Sequence, residues 1–221
     1  MVLGKYTANE NEPKPIVWLK GNQDNEFISE SILDMLEWDI AGGSNYEAST
    51  IYMFMNSADE DLFSIPPSYS YKNNAGFLRD FEGYEIEAIG GEVNLPAEDD
   101  VFHPLMNLFK RKGKRTFFSQ NYLSRNRYYC RTYESYWFKN VTGNHNPYNN
   151  VKMLSFDGSY AVATGSSYRH GFRPKCKVRG DLKVKQNGDY YYLVPFESNY
   201  KKTCDIEVFD ENDIWSLFGI K

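Results

Sequence analysis

The chain has 221 residues, of which 41% are hydrophobic and 17% aromatic, and its formal net charge is -5. This length accommodates a sizeable core, and no stretch approaches the roughly 20 apolar residues of a membrane-spanning helix. The start of the sequence has no long apolar run and no small-residue cleavage site, so no secretory signal is visible. The protein therefore stays in the cell that makes it, leaves by lysis as virion parts do, or has lost its signal.

The charge is distributed unevenly along the chain. Residues 1–100 contain 20 acidic and 5 basic residues, whereas residues 101–221 contain 10 acidic and 20 basic ones. Residues 110–131 combine basic and aromatic side chains, a composition that can bind nucleic acid or acidic glycans. The alternative is that the two halves of one domain neutralise each other. The acidic overall balance favours this alternative, so we do not expect a nucleic-acid partner.

In chain order, the first predicted elements are strands. Residues 1–15 are polar, contain two prolines, and are interpreted as an N-terminal arm or an edge segment. Short strands are predicted at residues 16–19 and 26–29, and residues 31–36 are a candidate helical turn.

Two helices are predicted next. Apolar residues at helical spacing predict a helix over residues 45–63, with Ser44 or Asn45 as its cap. A second helix is predicted over residues 97–109, because Pro96 precedes three acidic residues that favour the start of a helix.

After residue 115 the pattern changes to strands and loops. Two hairpins are predicted at Asp157-Gly158 and Asn187-Gly188, dipeptides that accept the positive φ of a tight turn. The remaining predictions are a strand at 133–139, a Gly/Asn/Pro-rich loop at 140–150, a strand at 172–178 and a short helix at 207–218.

Several motifs, in this order, resemble one family of domains. They are Ile16-Val17-Trp18, Phe27-Ile28-Ser29, Ile32-Leu33-Asp34, Asn45 to Ser49, Met55-Asn56, Leu62-Phe63-Ser64, Val93 to Glu98, Tyr136 to Lys139, Asp157-Gly158 and Gly171-Phe172-Arg173-Pro174. The family is that of the C-type-lectin-like, sulfatase-modifying-factor-like domains of bacteria and their phages. The sequence departs from it at Met55 and at Phe138-Lys139, and residues 181–221 extend beyond its usual end.

The resemblance implies an α+β, C-type-lectin-like fold. It would have two helices, a small twisted antiparallel sheet and long irregular loops over residues 16–180. Residues 181–221 would add a C-terminal β-hairpin and a short helix packed on that domain. Five matched residues are expected to be structural: Trp18 and Trp137 as core aromatics, Asn56 bonding loop backbone, Gly171 allowing a turn or close approach, and Arg173 anchoring a carboxylate or carbonyls.

The sequence gives little indication of catalysis. Relatives of the fold include an oxidase that makes formylglycine with cysteines and copper, but nothing here resembles its active-site segment. Three cysteines at wide spacing form neither a disulfide framework nor a zinc pattern, so we expect reduced thiols. The three histidines lack metal-ligand spacing, and Glu98, Asp99 and Asp100 point in different directions along a helix. We therefore expect no enzyme activity, no cofactor and no metal.

A ligand-binding region is predicted within residues 121–150. Tyrosine, asparagine and arginine suit a surface that recognises a sugar or a protein by stacking and adaptable hydrogen bonds. The alternative is that these aromatic residues fill an irregular core under long loops. The candidate binding residues are Arg125, Arg127, Tyr128, Tyr129, Tyr133, Asn144, His145 and Tyr148.

These observations favour a non-catalytic lectin-like binding module. It would belong to a phage virion, in the tail or associated with the head, or to a bacterial surface assembly. Its partner would be a host-surface glycan or protein, or another subunit, without membrane insertion, and a homo-oligomer is possible. The alternative is a purely structural subunit of a virion or secretion-like particle, with residues 1–15 and the hairpin 181–196 as contacts. The expected location is the virion or an extracellular surface.

Overall fold

A computed structural model describes most of the chain. The described residues are 1–7, 13–65, 67, 71, 74–104, 106, 111–115, 135–143, 146, 148, 150–155, 157–180, 182–195 and 208–209. Within them the fold is mixed α+β, with three short α-helices, two large mixed sheets and one small pair of strands. The predicted α+β class is confirmed at this level.

The strands are short. They are β1 (Val2–Tyr6), β2 (Lys14–Lys20), β3 (Glu26–Ser29), β4 (Ser31–Ile32), β5 (Asp34–Glu37), β6 (Lys114–Arg115), β7 (Tyr136–Val141), β8 (Val151–Leu154), β9 (Ala161–Thr164), β10 (Arg169–Phe172), β11 (Lys175–Lys177), β12 (Val184–Asn187), β13 (Tyr190–Leu193) and β14 (Val208–Phe209).

The first sheet has seven strands in the order β11-β3-β2-β1-β13-β12-β14. Its neighbours are antiparallel except for β1 and β13, which pair in parallel. The hairpin β12–β13 turns at Gly188 with a φ of 62°, which confirms the prediction from Asn187-Gly188. The C-terminal hairpin thus extends a sheet that the N-terminal strands begin.

The second sheet has five strands in the order β5-β10-β7-β8-β9, and β10 and β7 are parallel. The hairpin β8–β9 turns at Gly158 with a φ of 76°, which confirms the other predicted hairpin. The expectation of one small antiparallel sheet agrees only loosely with these two sheets, which are both mixed. The sequence pattern indicates which residues are strands, but it does not show that segments distant in the chain pair in parallel.

The segment expected as an N-terminal arm is instead partly an inner strand. β1 lies between β2 and β13, and Leu3 is fully buried. The Trp18 indole Nε1 donates a hydrogen bond of 2.8 Å to the Leu3 carbonyl oxygen. Tertiary pairing therefore overrides the polar composition of residues 1–15.

Two other strand predictions also need correction. Residues 31–36 lie in β4 and β5 and are not helical; the backbone N–H of Leu33 donates to the Phe172 carbonyl oxygen. The single strand predicted at 172–178 is interrupted at Pro174, which has no backbone N–H for a sheet ladder. β10 therefore belongs to one sheet and β11 to the other, and residues 173–174 connect them.

Within the described residues the helices are shorter than predicted, and there are three where the resemblance implied two for the domain. They are α1 (Thr50–Met55), α2 (Gly83–Ala88) and α3 (Glu98–Phe102), with a 3-10 helix at Phe77–Asp80. Ser49 caps α1, because its hydroxyl accepts a hydrogen bond from the Tyr52 backbone N–H. α3 ends at Phe102. Its C-cap residue His103 is extended, because a residue before a proline disfavours the helical region. The helix predicted at 207–218 is a strand at Val208–Phe209, and its other residues lie outside the described part.

Two clusters of buried apolar side chains form the core. Trp137 belongs to the larger cluster, whereas its neighbours Tyr136 and Phe138 belong to the smaller one. Because successive side chains of a strand point to opposite faces, β7 contributes to a core on each side of the five-stranded sheet. The packing of the two clusters fixes the strands of the five-stranded sheet. The loops of the candidate site extend from the ends of these strands.

Candidate binding site

Asn150 joins three loop segments through its side-chain amide. The amide Nδ2 lies 2.8 Å from the Gly42 carbonyl oxygen, 3.1 Å from the Gly43 carbonyl oxygen and 3.1 Å from Ser166 Oγ. The amide Oδ1 accepts a hydrogen bond of 3.0 Å from the Ser166 backbone N–H. Asn150 is buried, so these bonds satisfy a polar group that would otherwise cost stability.

We call these segments the three-loop cluster. The cluster consists of the described residues 39–43, 142–143, 146, 148, 150 and 165–168. Asp39 fixes the first segment: its carboxylate accepts hydrogen bonds from the Gly43 N–H at 2.7 Å and from the Thr50 N–H and hydroxyl. The Asp39 backbone N–H donates to the Ser166 carbonyl oxygen at 2.9 Å. Buried hydrogen bonds thus define the relative positions of the three loops.

The cluster presents aromatic side chains to solvent. Tyr148 is 70% exposed and Tyr168 is 48% exposed, and the two belong to different loops. Ile40, on the remaining loop, is 39% exposed. Tyr148 is held by its backbone, whose N–H donates to Asn146 Oδ1 at 3.0 Å. Exposed rings on loops anchored by buried hydrogen bonds are suited to binding, because little freedom is lost when a ligand docks.

Of the eight predicted binding residues, the structure places Tyr148, and it places it on this surface. The other seven lie outside the described residues: Arg125, Arg127, Tyr128, Tyr129, Tyr133, Asn144 and His145. Sequence reasoning did not assign Asn150, Ser166 or Tyr168 to the site. Asn150 is the last of several asparagines in its loop, and no local signal distinguishes it. Its partners lie 16 and more than 100 positions away.

Two of the residues expected to be structural are tryptophans, and both are buried. The Trp137 indole Nε1 donates to the Leu36 carbonyl oxygen at 2.7 Å. Asn56 caps the end of α1 and binds loop backbone: its amide donates to the Val93 carbonyl oxygen and accepts from the Val93 N–H. The Asn56 amide thereby holds residue 93 against the end of α1.

Arg173 is completely buried. Its guanidinium donates to the Ser29 carbonyl oxygen at 2.9 Å, to the Arg111 carbonyl oxygen at 2.8 Å and to the Tyr136 hydroxyl at 3.1 Å. The planar guanidinium group therefore binds carbonyls on two separate segments. Gly171 allows a close approach, because a Cβ there would lie 2.8 Å from both Ile32 Cγ2 and the Ser135 carbonyl oxygen.

Ser135, which is buried, and His170, which is half-buried, form a second polar pair. The Ser135 hydroxyl lies 2.9 Å from His170 Nδ1, and the ring of Trp137 packs edge-on to the imidazole at 4.6 Å between centroids. Burial lowers the pKa of His170 from 6.5 to about 4. The His170 Nε2 atom is buried, and no described residue is hydrogen-bonded to it. Among the described residues, no carboxylate is hydrogen-bonded to the imidazole, as the third member of a nucleophilic triad would be.

A third polar group connects α3 to the seven-stranded sheet. The Lys175 ammonium lies 2.9 Å from Glu26 Oε1 and 2.7 Å from Asp100 Oδ2, and all three side chains are largely buried. The two carboxylates raise the pKa of Lys175 against the opposing effect of burial. Asp100 also accepts from the Ala97 backbone N–H. The ammonium group occupies the space between the carboxylates, so this is a structural ion-pair network.

No protein family model matches the chain, and neither a curated protein nor a solved structure matches it. Among the described residues, no group of three or more histidine, cysteine, aspartate or glutamate side chains could hold a metal ion. No helix in the described part of the chain is long and apolar enough to cross a membrane.

Proposed function

We propose that the protein is a non-catalytic binding module that engages its ligand through the three-loop cluster. One observation carries this proposal: Tyr148 and Tyr168 are exposed on separate loops that the buried Asn150 amide holds together. Tyrosine provides a large rigid contact surface with a polar tip and loses little conformational entropy on binding. Anchored loops on a sheet scaffold are a common location for such residues.

We further propose that the domain is C-type-lectin-like and serves in a phage virion or a bacterial surface assembly. The order of the sequence motifs supports this proposal, as do the short helices and the long connections between strands. Fold resemblance alone is a weak argument for function, so the binding role depends on the three-loop cluster. The ligand would be a host-surface glycan or protein, or a partner subunit.

The test is a binding assay with purified full-length chain on glycan arrays and on intact bacterial cells. Tyr148→Ala and Tyr168→Ala should each weaken binding about tenfold, a loss of about 1.4 kcal/mol, if the exposed rings contact the ligand. Tyr160→Ala is the matched control, because Tyr160 is 56% exposed at the turn of the β8–β9 hairpin, away from the strand ends that join the cluster. Binding that neither cluster variant affects would contradict the proposal.

A purely architectural role is the second candidate. The hairpin β12–β13 supports it, because Tyr190 and Tyr192 are exposed on a strand in the interior of the seven-stranded sheet. Alternating exposed tyrosines on one sheet face can serve as a subunit contact. Light scattering after size-exclusion chromatography tests this role: a stable oligomer that dissociates in the Tyr190→Ala, Tyr192→Ala double variant would support it, and a monomer that binds cells would oppose it.

A further inference from the structure

Strand β9 is an edge of the five-stranded sheet, and no described residue pairs with its outer side. The Ser155 backbone N–H donates to the Tyr160 carbonyl oxygen at 2.9 Å, beside the first pair of the β8–β9 ladder. Because the bonds of an antiparallel ladder use every second residue, the backbone groups of Val162 also face β8. The N–H and C=O groups of Ala161 and Ala163 therefore point away from β8.

The other edges of the two large sheets are covered or very short. β5, at the opposite edge of the same sheet, is buried throughout, and the Tyr71 hydroxyl donates to its Glu37 carbonyl oxygen. β11 is covered by the preceding loop, because Lys175 and Asn94 exchange two backbone hydrogen bonds. β14, at the remaining edge, is two residues long. Among the described residues, β9 is thus the longest edge without a cover.

β9 also lacks the features that usually protect an exposed edge. Its residues, Ala161–Thr164, include no charged side chain and no proline, and its register with β8 continues without a bulge. Ala163 is exposed, and the lysine opposite it, Lys152 on β8, is held by Glu98 at 2.5 Å. An edge of this kind is open to pairing with another strand.

We propose that β9 pairs with the β9 strand of a second copy of the chain, antiparallel and about a twofold axis. With Val162 opposite its own copy, Ala161 of each chain lies opposite Ala163 of the other. Each of these alanine pairs can then exchange two hydrogen bonds through its outward N–H and C=O groups. The two five-stranded sheets would form one continuous sheet.

Twofold symmetry is the reason to expect a second copy and not an unrelated strand. Such an interface brings a surface against itself, so any charge on the strand would lie close to its own sign. β9 carries none, and the apolar, β-branched Val162 lies at the centre of the pairing. The contact uses neither the three-loop cluster nor the tyrosines of β13, so it is separate from both proposed functions.

Sedimentation velocity of the full-length chain, from about 1 µM to about 300 µM, measures the association. A four-residue edge buries less surface than a standard interface, so the expected dimer is weak and forms at the higher concentrations. Ala163→Pro removes an outward N–H that the β8–β9 ladder does not use. It should weaken the dimer at least about thirtyfold, because two hydrogen bonds are lost per dimer. Ala163→Ser, which keeps the N–H, should dimerise like the wild type.

Cysteine cross-linking tests the register. Val162→Cys would face its own copy in a non-hydrogen-bonded pair, where Cα atoms lie about 4.5 Å apart, a separation that a disulfide spans. Oxidised glutathione should therefore produce a covalent dimer on a non-reducing gel. Ala163→Cys is the matched control, because it is displaced from its own copy by two residues and should cross-link far less. The oxidised wild type gives the background from the native cysteines.

Three results would overturn the proposal. They are a chain that stays monomeric at every concentration, Val162→Cys that cross-links no more than Ala163→Cys, and a dimer that survives Ala163→Pro but dissociates in the Tyr190→Ala, Tyr192→Ala double variant. Circular dichroism shows whether Ala163→Pro folds, and the two cysteine variants decide the question if it does not. No ligand is present in these experiments, so a negative result would leave the binding role of the three-loop cluster standing.

Discussion

Acidification should destabilise the fold through His170. Burial lowers the pKa of His170 from 6.5 to about 4. The imidazole packs against Trp137 and the Ser135 hydroxyl, and its buried Nε2 has no hydrogen-bond partner in the part of the chain that the structure describes. The perturbation is a fall in pH from about 7.5 to about 5. This range crosses the ordinary pKa of histidine but stays above the pKa of His170 in the folded protein.

The sign and the magnitude follow from linkage. Below pH 6.5 the unfolded chain binds a proton at His170, whereas the folded chain does not bind it until about pH 4. Protonation thus lowers the free energy of the unfolded state as the pH falls. The free energy of unfolding decreases progressively from its value at pH 7.5. The loss is about 2 kcal/mol at pH 5 and about 3 kcal/mol at pH 4, at 1.36 kcal/mol per pKa unit.

The assay is urea unfolding followed by tryptophan fluorescence, at about pH 7.5, 6 and 5, on the wild type and two variants. His170→Asn keeps a group that can bind Ser135 but does not titrate, so its free energy of unfolding should fall with pH by about 2 kcal/mol less than that of the wild type. Ser135→Ala removes the hydroxyl but keeps the ring. It should be less stable at every pH and retain most of the wild-type pH dependence.

The reasoning is refuted if the wild type and His170→Asn lose equal stability between pH 7.5 and pH 5. It is also refuted if the His170 ring protons titrate near pH 6.5 in NMR spectra of the folded protein. Either result would mean that solvent reaches the imidazole. Comparing the change with pH within each protein removes the effect of any general loss of stability in a variant.

Three further predictions concern positions where the structure gives a specific cause. Asn150→Ala should lower the free energy of unfolding by about 2–4 kcal/mol and weaken ligand binding, because carbonyls of the three-loop cluster lose their donor. Urea unfolding and the glycan array test this prediction. A stable variant with full binding would contradict it. Arg173→Lys should cost about 2 kcal/mol, because an ammonium cannot reproduce a planar group that binds two carbonyls and a hydroxyl; equal melting temperatures would contradict it. Gly76→Ala should lower the free energy of unfolding by about 2–3 kcal/mol, since a Cβ at this position would overlap the Ser57 carbonyl oxygen. Gly83→Ala is the control. A Cβ there would meet open space, so this variant should be nearly neutral in the same thermal assay.

Local chemistry in the sequence determined the features that depend on neighbouring residues. Asp157-Gly158 and Asn187-Gly188 specify hairpin turns because glycine accepts a positive φ at no steric cost. The α+β class was implied by the resemblance of the motifs, and the described residues confirm it. Pro104 also marks the end of α3, although the sequence interpretation extended that helix past it.

The tertiary structure alone decided which distant segments meet. β1 became an inner strand because β13 pairs with it from the other end of the chain, and residues 31–36 became strands because β10 and β6 pair with them. The candidate site depends on the same kind of contact. Loop composition made Tyr148 a binding candidate, which stays a prediction, whereas the Asn150 amide binds carbonyls 107 and 108 positions away. Such contacts leave no local pattern, because their geometry arises only when the core brings the loops together.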